Sequence, residues 1–269
     1  MGMKHARMLG QLDITRRQAE ITDLVQKTGF ASVDELAERF EVTTQTIRRD
    51  VNGLCELGVL RRTHGGVELP APATNIHYST RRILNFGEKC QIAKAVAGEI
   101  SNGQSLAFSI GTTPEIVMQA LTGHDNLRIF TNNLNVAFTA LDNPTFEVTI
   151  AGGRIRHGDR DILGSTAQEF FGNYKVDIGI FGVAGVDEDG TLLDFDEDEV
   201  AARQSILANC RQSFLVLDHS KFGRGAHVRG GHLQDVTAVF TNKAVPSRFA
   251  ALLNACGTRI VTAEPEGRR

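Results

Sequence analysis

The sequence has no tryptophan and only two tyrosines, so stacking of aromatic rings on single-stranded bases is not its main means of binding. Long apolar runs are also missing, because stretches such as residues 177–185 fall far short of the roughly 20 residues of a membrane-spanning helix. Residues 1–13 contain Lys4 and Arg7 but no apolar segment, which argues against a secretory signal. We therefore expect a cytoplasmic protein with no membrane partner.

Chemistry that depends on metals or reactive thiols has little support in this sequence. The cysteines form no C-x-x-C pair and fit the reduced thiols of a cytoplasmic protein: Cys55, Cys90, Cys210 and Cys256. The sequence has no H-E-x-x-H zinc motif, no G-x-S-x-G serine-nucleophile motif and no G-x-x-x-x-G-K-[ST] nucleotide motif. The spacing of its clustered histidines does not match that of metal ligands: His219, His227 and His232. The acidic run at residues 194–199 is typical of a solvated helix start. We expect no metal, no cofactor and no catalytic residues.

Composition divides the chain into two parts. Short, charged helical patterns extend to about Leu69, and apolar runs that alternate with helical stretches begin near Ala93. Between them, residues 69–75 (LPAPATN) have the composition of a linker. We predict a first domain, a linker and a second domain over residues 14–69, 70–83 and 84–265.

The first domain is predicted to be a winged helix-turn-helix. Capping boxes at residues 15–18 and 32–35 start its first two helices. Thr43 or Thr44 caps a third helix, which turns three apolar residues inward: Ile47, Val51 and Leu54. Two short strands around a tight basic tip are expected at Val59-Leu60 and residues 65–67.

The predicted third helix and wing leave a set of polar and basic side chains exposed. Helices of this type place their N-terminal residues against the major groove, where glutamine suits adenine and arginine suits guanine. The wing would add contacts to phosphates. The predicted partner is double-stranded operator DNA, and the predicted DNA-binding residues are Thr43, Thr44, Gln45, Thr46, Arg48, Arg49, Arg61, Arg62 and His64.

Each of these signals alone has a simpler explanation, since a plain helical hairpin or a solvated arginine pair gives the same pattern. The distribution of charge favours DNA. Residues 42–66 contain four arginines and two acidic residues, a net charge of +2, whereas ten basic and ten acidic residues cancel over residues 1–69. The whole chain has a net charge of −3, so the positive charge is concentrated on the predicted DNA face.

The second domain alternates apolar strands with helices, which is typical of a doubly wound, mainly parallel α/β sheet. Its predicted strands are residues 106–110, 127–131, 146–151, 176–183, 214–217, 238–241 and 259–262. Thr113 is expected to cap the helix after the first of these strands, with Pro114 at the first helical position.

Ligands of such sheets bind beyond the carboxyl ends of the strands. Glycines there allow close backbone approach, N–H groups at a helix start favour an anion, and a lysine adds a full positive charge. This set predicts a site for a small phosphorylated effector, although a simple capped turn explains residues 111–113 equally well. The predicted effector-binding residues are Ser109, Gly111, Thr112, Thr113, Asn132, Gly152, Gly153 and Lys221.

Several runs, in the same order, resemble the DeoR family of bacterial repressors. The runs of the first domain are VTTQTIRRD at 42–50 and RRTHGG at 61–66. Those of the second are IGTTPE at 110–115, TNNLNVA at 131–137, AGG at 151–153, GVDEDG at 185–190 and DHSKFGR at 218–224. The resemblance covers about residues 15–262 and implies a winged helix-turn-helix followed by a sensor domain related in fold to sugar-phosphate isomerases.

Residues 131–137, 193–200 and 218–224 resemble most the branch of this family that represses genes of glycerol metabolism. That resemblance implies release from DNA by glycerol 3-phosphate and a homotetramer. A single winged-helix unit contacts only one half-site, so by itself it leads us to expect a homo-oligomer, dimer or tetramer. Two positions depart from the family pattern. Thr43 replaces the usual serine but keeps a capping hydroxyl, and Ser109 stands where aspartate is common, so a carboxylate expected in the pocket is missing.

Two other functions stay open at this point. A sugar-phosphate isomerase with a DNA-binding appendage needs a base next to a carbonyl carbon, and nothing in the sequence places one there. A DeoR-type regulator could also respond to another phosphorylated sugar, or activate genes instead of repressing them.

Overall fold

The computed structural model describes residues 15–69 and 78–263, and the chain divides into two compact units, Met1–Phe86 and Gly87–Arg269. The elements of the first unit are α1 (Arg16–Thr28), β1 (Phe30–Ser32), α2 (Val33–Arg39), α3 (Thr44–Glu56), β2 (Arg61–Thr63), β3 (Gly66–Glu68) and α4 (Tyr78–Ile83). The three strands form an antiparallel sheet in the order β1-β3-β2.

Side-chain caps fix where the helices of the first unit begin. The predicted capping boxes at residues 15–18 and 32–35 both form. Thr43, and not Thr44, caps α3, because its Oγ1 accepts the Thr46 N–H at 3.2 Å. The residues that α3 turns inward are almost fully buried, as predicted: Ile47, Val51 and Leu54.

The wing differs from the prediction at its first strand. Val59 and Leu60 were expected to be a strand, but they are buried residues of the turn between α3 and β2. The Val59 N–H donates to the Leu54 carbonyl at 2.9 Å, so this segment completes the helix end and does not join the sheet. The strand β1 was not predicted, since three residues are too few to show a period-two pattern.

Part of the segment predicted as a linker is helical. Residues 70–77 lie outside the described part of the chain, and α4 occupies the rest of the segment. The Thr80 hydroxyl donates to the Leu57 carbonyl at 2.9 Å, and Tyr78 and Ile83 are buried. Within the first unit, α4 is therefore packed against the end of α3.

The second unit has a seven-stranded sheet at its centre. Its elements are α5 (Phe86–Ala97), β4 (Ser105–Phe108), α6 (Thr112–Ala120), β5 (Arg128–Thr131), α7 (Leu134–Ala140), β6 (Glu147–Ile150), β7 (Ile155–Arg156), β8 (Asp161–Ile162), α8 (Ser165–Gly172), β9 (Val176–Phe181), β10 (Gly185–Val186), β11 (Thr191–Asp194), α9 (Glu197–Ala208), β12 (Cys210–Val216), β13 (Val228–His232), β14 (Ala238–Thr241), α10 (Ser247–Cys256) and β15 (Arg259–Thr262). Two 3-10 turns, His219–Lys221 and Leu233–Asp235, flank β13.

All neighbouring strands of the central sheet are parallel, in the order β15-β14-β12-β9-β4-β5-β6. The chain enters at β4, proceeds outward through β5 and β6, returns to the other side of β4 at β9, and continues to the opposite edge. This reversal makes the sheet doubly wound and places a crevice at the carboxyl ends of β4 and β9. The predicted fold class is confirmed.

The start of α6 differs from the prediction. Thr113 does not cap this helix, and Pro114 is not its first residue, because α6 begins at Thr112 with Gly111 in the capping position. Gly111 has φ +119°, a backbone conformation that glycine adopts without strain. Pro114 then occupies the third helical position, where a missing N–H still costs no helical hydrogen bond.

Two small sheets flank the central one. β10, β11 and β13 form an antiparallel sheet, and β7 and β8 form a hairpin of two residue pairs. The hairpin is tied to the end of β5, because the Ile162 N–H donates to the Asn132 carbonyl at 2.9 Å and the Leu134 N–H donates to the Arg160 carbonyl at 3.0 Å. It therefore lies over one part of the carboxyl edge.

Candidate DNA-binding surface and ligand site

The helix α3 presents a polar and basic face to solvent. Its apolar residues are buried, whereas Gln45, Arg48 and Arg49 are exposed. Thr44 and Thr46 are half-buried, and Thr43 is exposed although its hydroxyl is used in capping. An exposed N-terminal turn with glutamine and two arginines has the chemistry of a helix that reads the major groove.

An ion pair fixes α3 against α1. The Arg17 Nε lies 2.5 Å from the Asp50 Oδ2, and the Asp50 side chain is only 8% exposed. The amide of Gln18 also donates to the backbone carbonyl of Asp50 at 3.2 Å. Both contacts join α1 to Asp50, so they hold α3 in the orientation that leaves Arg48 and Arg49 exposed.

The wing residues are exposed and two of them have protein partners. Arg61 pairs with Glu68 on the opposing strand, and Arg62 donates to the side chain of Asn52 on α3. His64 lies exposed at the tip. Because Arg62 bridges the wing and α3, the two halves of the predicted DNA face are joined by a side-chain contact.

Most of the predicted effector residues lie at the carboxyl edge of the central sheet. Ser109 follows β4 and is buried, and its N–H donates to the Ile180 carbonyl of β9 at 3.0 Å. Thr112 and Thr113 are buried in the first turn of α6, which has no side-chain cap. The first N–H groups of a helix have no partner within the helix, so this turn at the switch point suits an anion.

The predicted residues of the neighbouring strands continue along the same edge. Asn132 follows β5 and is fully buried, while Gly152 and Gly153 follow β6 and are exposed. Gly153 has φ +144°, and a Cβ there would lie 2.9 Å from Ile162 Cγ2. This position therefore requires glycine. Lys221 follows β12 on the other side of β9 and is half-buried.

A buried carboxylate and two lysines form a charged cluster at this edge. Asp218 is 1% exposed and Lys89 of α5 is 4% exposed. Burial by itself would raise the pKa of Asp218, but the charges of Lys221 and Lys89 and hydrogen bonds from Ser220 outweigh it and lower that pKa. The charges of two ammonium groups therefore act on one buried carboxylate at this edge.

Lys89 was not among the predicted site residues, although the pattern of apolar residues around it in the sequence could have identified it. It occupies the first position of an i, i+3, i+4, i+7 pattern whose other members, Ile92, Ala93 and Val96, are fully buried. A lysine on the apolar face of a helix is unusual unless it is paired. The pattern therefore marks it as a candidate functional residue.

Arg156 connects the hairpin to the start of α9. Its Nη2 lies 2.7 Å from the Asp161 Oδ2 and 2.6 Å from the Glu199 Oε1. Burial opposes the charge of Arg156, but hydrogen bonds to these two carboxylates raise its pKa. Asp196 caps α9, as expected for an acidic helix start. The same acidic run also supplies Asp194, which is buried and pairs with Arg203 at 2.7 Å.

No group of histidine, cysteine, aspartate or glutamate side chains within residues 15–69 and 78–263 is arranged to hold a metal ion. In the same part of the chain, no helix combines the length and the apolar character required to cross a bilayer.

The fold and these surfaces define a two-part regulator: a winged helix-turn-helix unit, followed by a doubly wound α/β unit whose carboxyl edge carries buried polar side chains and two lysines. Two family models match these parts, the DeoR-like helix-turn-helix domain over residues 17–73 and the DeoR C terminal sensor domain over residues 84–243. The chain belongs to the DeoR family.

Curated relatives agree with this assignment. The chain is 45% identical over 232 residues to the glycerol-3-phosphate regulon repressor of Escherichia coli, covering 86% of this chain and 92% of that protein. It is 44% identical to the protein of the same name from Haemophilus influenzae, covering 91% and 95%. The HTH-type transcriptional repressor CsqR of E. coli is 35% identical, covering 94% and 97%.

Solved structures give weaker matches. Ribose 5-phosphate isomerase A from Methanocaldococcus jannaschii is 14% identical with a TM-score of 0.38, covering 51% of this chain and 55% of that chain. The probable sor operon regulator from Shigella flexneri is 13% identical with a TM-score of 0.40, covering 62% and 88%.

Proposed function

We propose that this protein is a transcriptional repressor of glycerol and glycerol 3-phosphate metabolism genes, which binds operator DNA and leaves it when glycerol 3-phosphate binds. The observation on which this depends is the 45% identity, over 86% of the chain, to a glycerol-3-phosphate regulon repressor. The exposed face of α3 supports the DNA-binding half of the proposal. The uncapped start of α6 and the lysine charges at the carboxyl edge of the second unit support the effector half.

Specific roles follow for the residues of each surface. Gln45, Arg48 and Arg49 would read base edges, and the wing arginines and His64 would contact phosphates. The three threonines at the start of α3, Thr43, Thr44 and Thr46, would order its first turn and contact the backbone. In the second unit, Gly111–Thr113 and Lys221 would hold the effector phosphate, with Ser109, Asn132, Gly152 and Gly153 beside it, and Lys89 is added to this set.

We propose domain limits of 14–69 and 84–265, joined by residues 70–83, of which Tyr78–Ile83 form α4, and an assembly of two or four copies. A single winged-helix unit contacts one half-site, so useful specificity requires at least two copies in register. Light scattering of the full-length protein tests this. A dimer or tetramer is expected, and a monomer at micromolar concentration would contradict the assembly.

The test of function has three parts. The first part tests DNA binding: duplexes that the parent protein selects from a random library should be shifted by it in mobility-shift assays. The second part tests the effector: among phosphorylated metabolites, glycerol 3-phosphate should raise the melting temperature of the protein most. Incubation with pentose and hexose phosphates should give no aldose–ketose conversion, since we propose that the protein has no catalytic role. Conversion in that assay would instead support an isomerase, and a larger thermal shift with another phosphosugar would reassign the effector.

A further inference from the structure

A buried amide lies at the carboxyl edge of the sheet, one strand away from the turn before α6. Asn132 directly follows β5, whose last residue, Thr131, pairs with Phe108 at the end of β4. Since Ser109 follows Phe108, Asn132 and Ser109 lie on neighbouring strands beside the topological switch point. The Asn132 side chain is fully buried there.

Hydrogen bonds fix the orientation of this amide. The Asn132 Nδ2 donates to the Ile162 carbonyl at 2.9 Å, and the Asn132 backbone carbonyl accepts the Ile162 N–H at 2.9 Å. Because a carbonyl oxygen only accepts, the atom that faces Ile162 has to be the amide nitrogen. The other end of the side chain, Oδ1, is therefore an acceptor.

Within residues 15–69 and 78–263, Oδ1 of Asn132 has no hydrogen-bond partner. A buried acceptor without a donor destabilises the folded state, so its retention needs a reason. Attachment of the hairpin uses the backbone carbonyl and the side-chain nitrogen of Asn132 but not Oδ1, so it does not supply that reason. At Asn133 the oxygen is satisfied, because Oδ1 caps α7 by accepting the Asn135 N–H at 2.9 Å; there the buried atom without a partner among the described residues is the donor Nδ2.

The chemistry of Oδ1 limits what can satisfy it. A neutral acceptor requires a donor, and a phosphate monoester near neutral pH offers mainly acceptors. A phosphate suits the ammonium groups of Lys89 and Lys221 and the uncapped start of α6. A ligand that suits both places carries a phosphate at one end and a hydroxyl group at the other.

We propose that Asn132 Oδ1 accepts a hydrogen bond from a hydroxyl group of the bound ligand and thereby makes the site selective for phosphorylated polyols. This inference rests on the proposed function and adds the group that recognises the unphosphorylated part of the effector. An analogue without hydroxyl groups leaves Oδ1 unpaired and binds more weakly. An analogue with a carboxylate at that end brings a second acceptor to Oδ1 and is rejected.

Oδ1 is buried, so a ligand hydroxyl that bonds to it is shielded from water, which strengthens the hydrogen bond. The hairpin of β7 and β8 lies beside it, because the hairpin is hydrogen-bonded to Asn132 and held to α9 through Arg156.

The test compares two ligands on three full-length proteins by isothermal titration calorimetry. The ligands are glycerol 3-phosphate and propyl phosphate, which lacks both hydroxyl groups. The proteins are the parent, Asn132→Leu, which removes donor and acceptor, and Asn132→Asp, which keeps an acceptor but loses the donor to Ile162. Circular dichroism confirms that each variant is folded, and the ratio of the two dissociation constants cancels changes common to both ligands.

We expect the parent to prefer glycerol 3-phosphate by roughly tenfold or more, the leucine variant to lose this preference, and the aspartate variant to retain most of it. If the leucine variant keeps the parent ratio, Oδ1 is satisfied by something other than the ligand, such as an internal water, and the inference is overturned. If the parent binds neither compound, both the role of Oδ1 and the proposal that the effector is glycerol 3-phosphate are wrong. Should the aspartate variant fail to fold, the leucine ratio still decides the matter.

Discussion

Arg17 of α1 forms an ion pair with Asp50 of α3, with 2.5 Å between Nε and Oδ2. Asp50 lies between the buried residues Ile47 and Val51 and directly follows the exposed Arg48 and Arg49. The pair therefore connects the core of the first unit to the surface proposed to contact DNA. Its loss should affect both the stability of the unit and the placement of α3.

The first prediction concerns this pair. Arg17→Met should lower the free energy of unfolding of the first unit by about 1 kcal/mol, because the Asp50 carboxylate loses its partner while solvent still screens the site. Urea denaturation of the full-length protein, followed by circular dichroism, measures the change. Arg16→Met is the control, since Arg16 pairs with Glu20 at the surface and is 83% exposed. If Arg17→Met and Arg16→Met lower the free energy of unfolding equally, the ion pair of Arg17 with Asp50 does not stabilise the unit more than a surface pair does.

The second prediction separates base reading from phosphate contact. Gln45→Ala should change which operator variants are preferred, whereas Arg62→Ala should weaken binding to all sequences about equally and reduce the salt slope by about one. Mobility shifts at several salt concentrations measure both quantities. Arg16→Ala, a change at an exposed arginine of α1 that pairs with Glu20, serves as the charge-matched control. Unchanged operator binding by Arg48→Ala and Arg49→Ala proteins would show that α3 is not the reading helix.

A third prediction concerns the lysines at the carboxyl edge of the sheet. Lys221→Ala and Lys89→Met should each weaken glycerol 3-phosphate binding by roughly 10- to 100-fold, as expected for loss of a charge-assisted hydrogen bond. Calorimetric titration of each protein gives the affinity. Lys175→Ala is the matched control, because Lys175 precedes β9 at the amino edge of the sheet and donates to the Ala208 carbonyl. Equal affinity for all three variants would place the phosphate elsewhere.

The fourth prediction uses the pKa of Asp218, which Lys221, Lys89 and Ser220 lower against the opposing effect of burial. A carboxylate with a lowered folded-state pKa stabilises the fold above its unfolded pKa, and that stability is lost as the pH falls through the folded value. Asp218→Asn should therefore cost about 3 kcal/mol at neutral pH. The difference between variant and parent should shrink below the ordinary value of 3.8.

Urea midpoints at pH 7, 5, 4 and 3 follow this difference. Asp142→Asn, a change at an exposed residue between α7 and β6, provides the comparison. A destabilisation by Asp218→Asn that stays constant down to pH 3 would contradict the charge-based account.

Local signals in the sequence were sufficient for much of this fold. Both capping boxes, the inward face of α3 and the strands at 238–241 and 259–262 form as predicted. Each depends on side chains within a few residues of each other or on one continuous buried run. Alternation of strands and helices was likewise enough to predict the doubly wound sheet.

What the sequence did not reveal depends on contacts between distant segments. The charge of Lys89 on α5 lowers the pKa of Asp218 at the end of β12, and Arg156 joins a hairpin to α9. The cap of α6 was misassigned because Thr113 and Pro114 have good local preferences, while the chain instead turns at Gly111. Which predicted residues contact DNA or effector stays a prediction.

The most direct measurement of the central claim is fluorescence anisotropy of a labelled operator duplex, bound by the full-length protein and titrated with glycerol 3-phosphate. An effector releases DNA only through its differential affinity for the DNA-free state. We predict that the parent leaves the duplex as glycerol 3-phosphate is added, and that Lys221→Ala binds the duplex equally well but stays bound at the same concentrations. Release of Lys221→Ala at the effector concentration that releases the parent, or no release of the parent, would contradict this account.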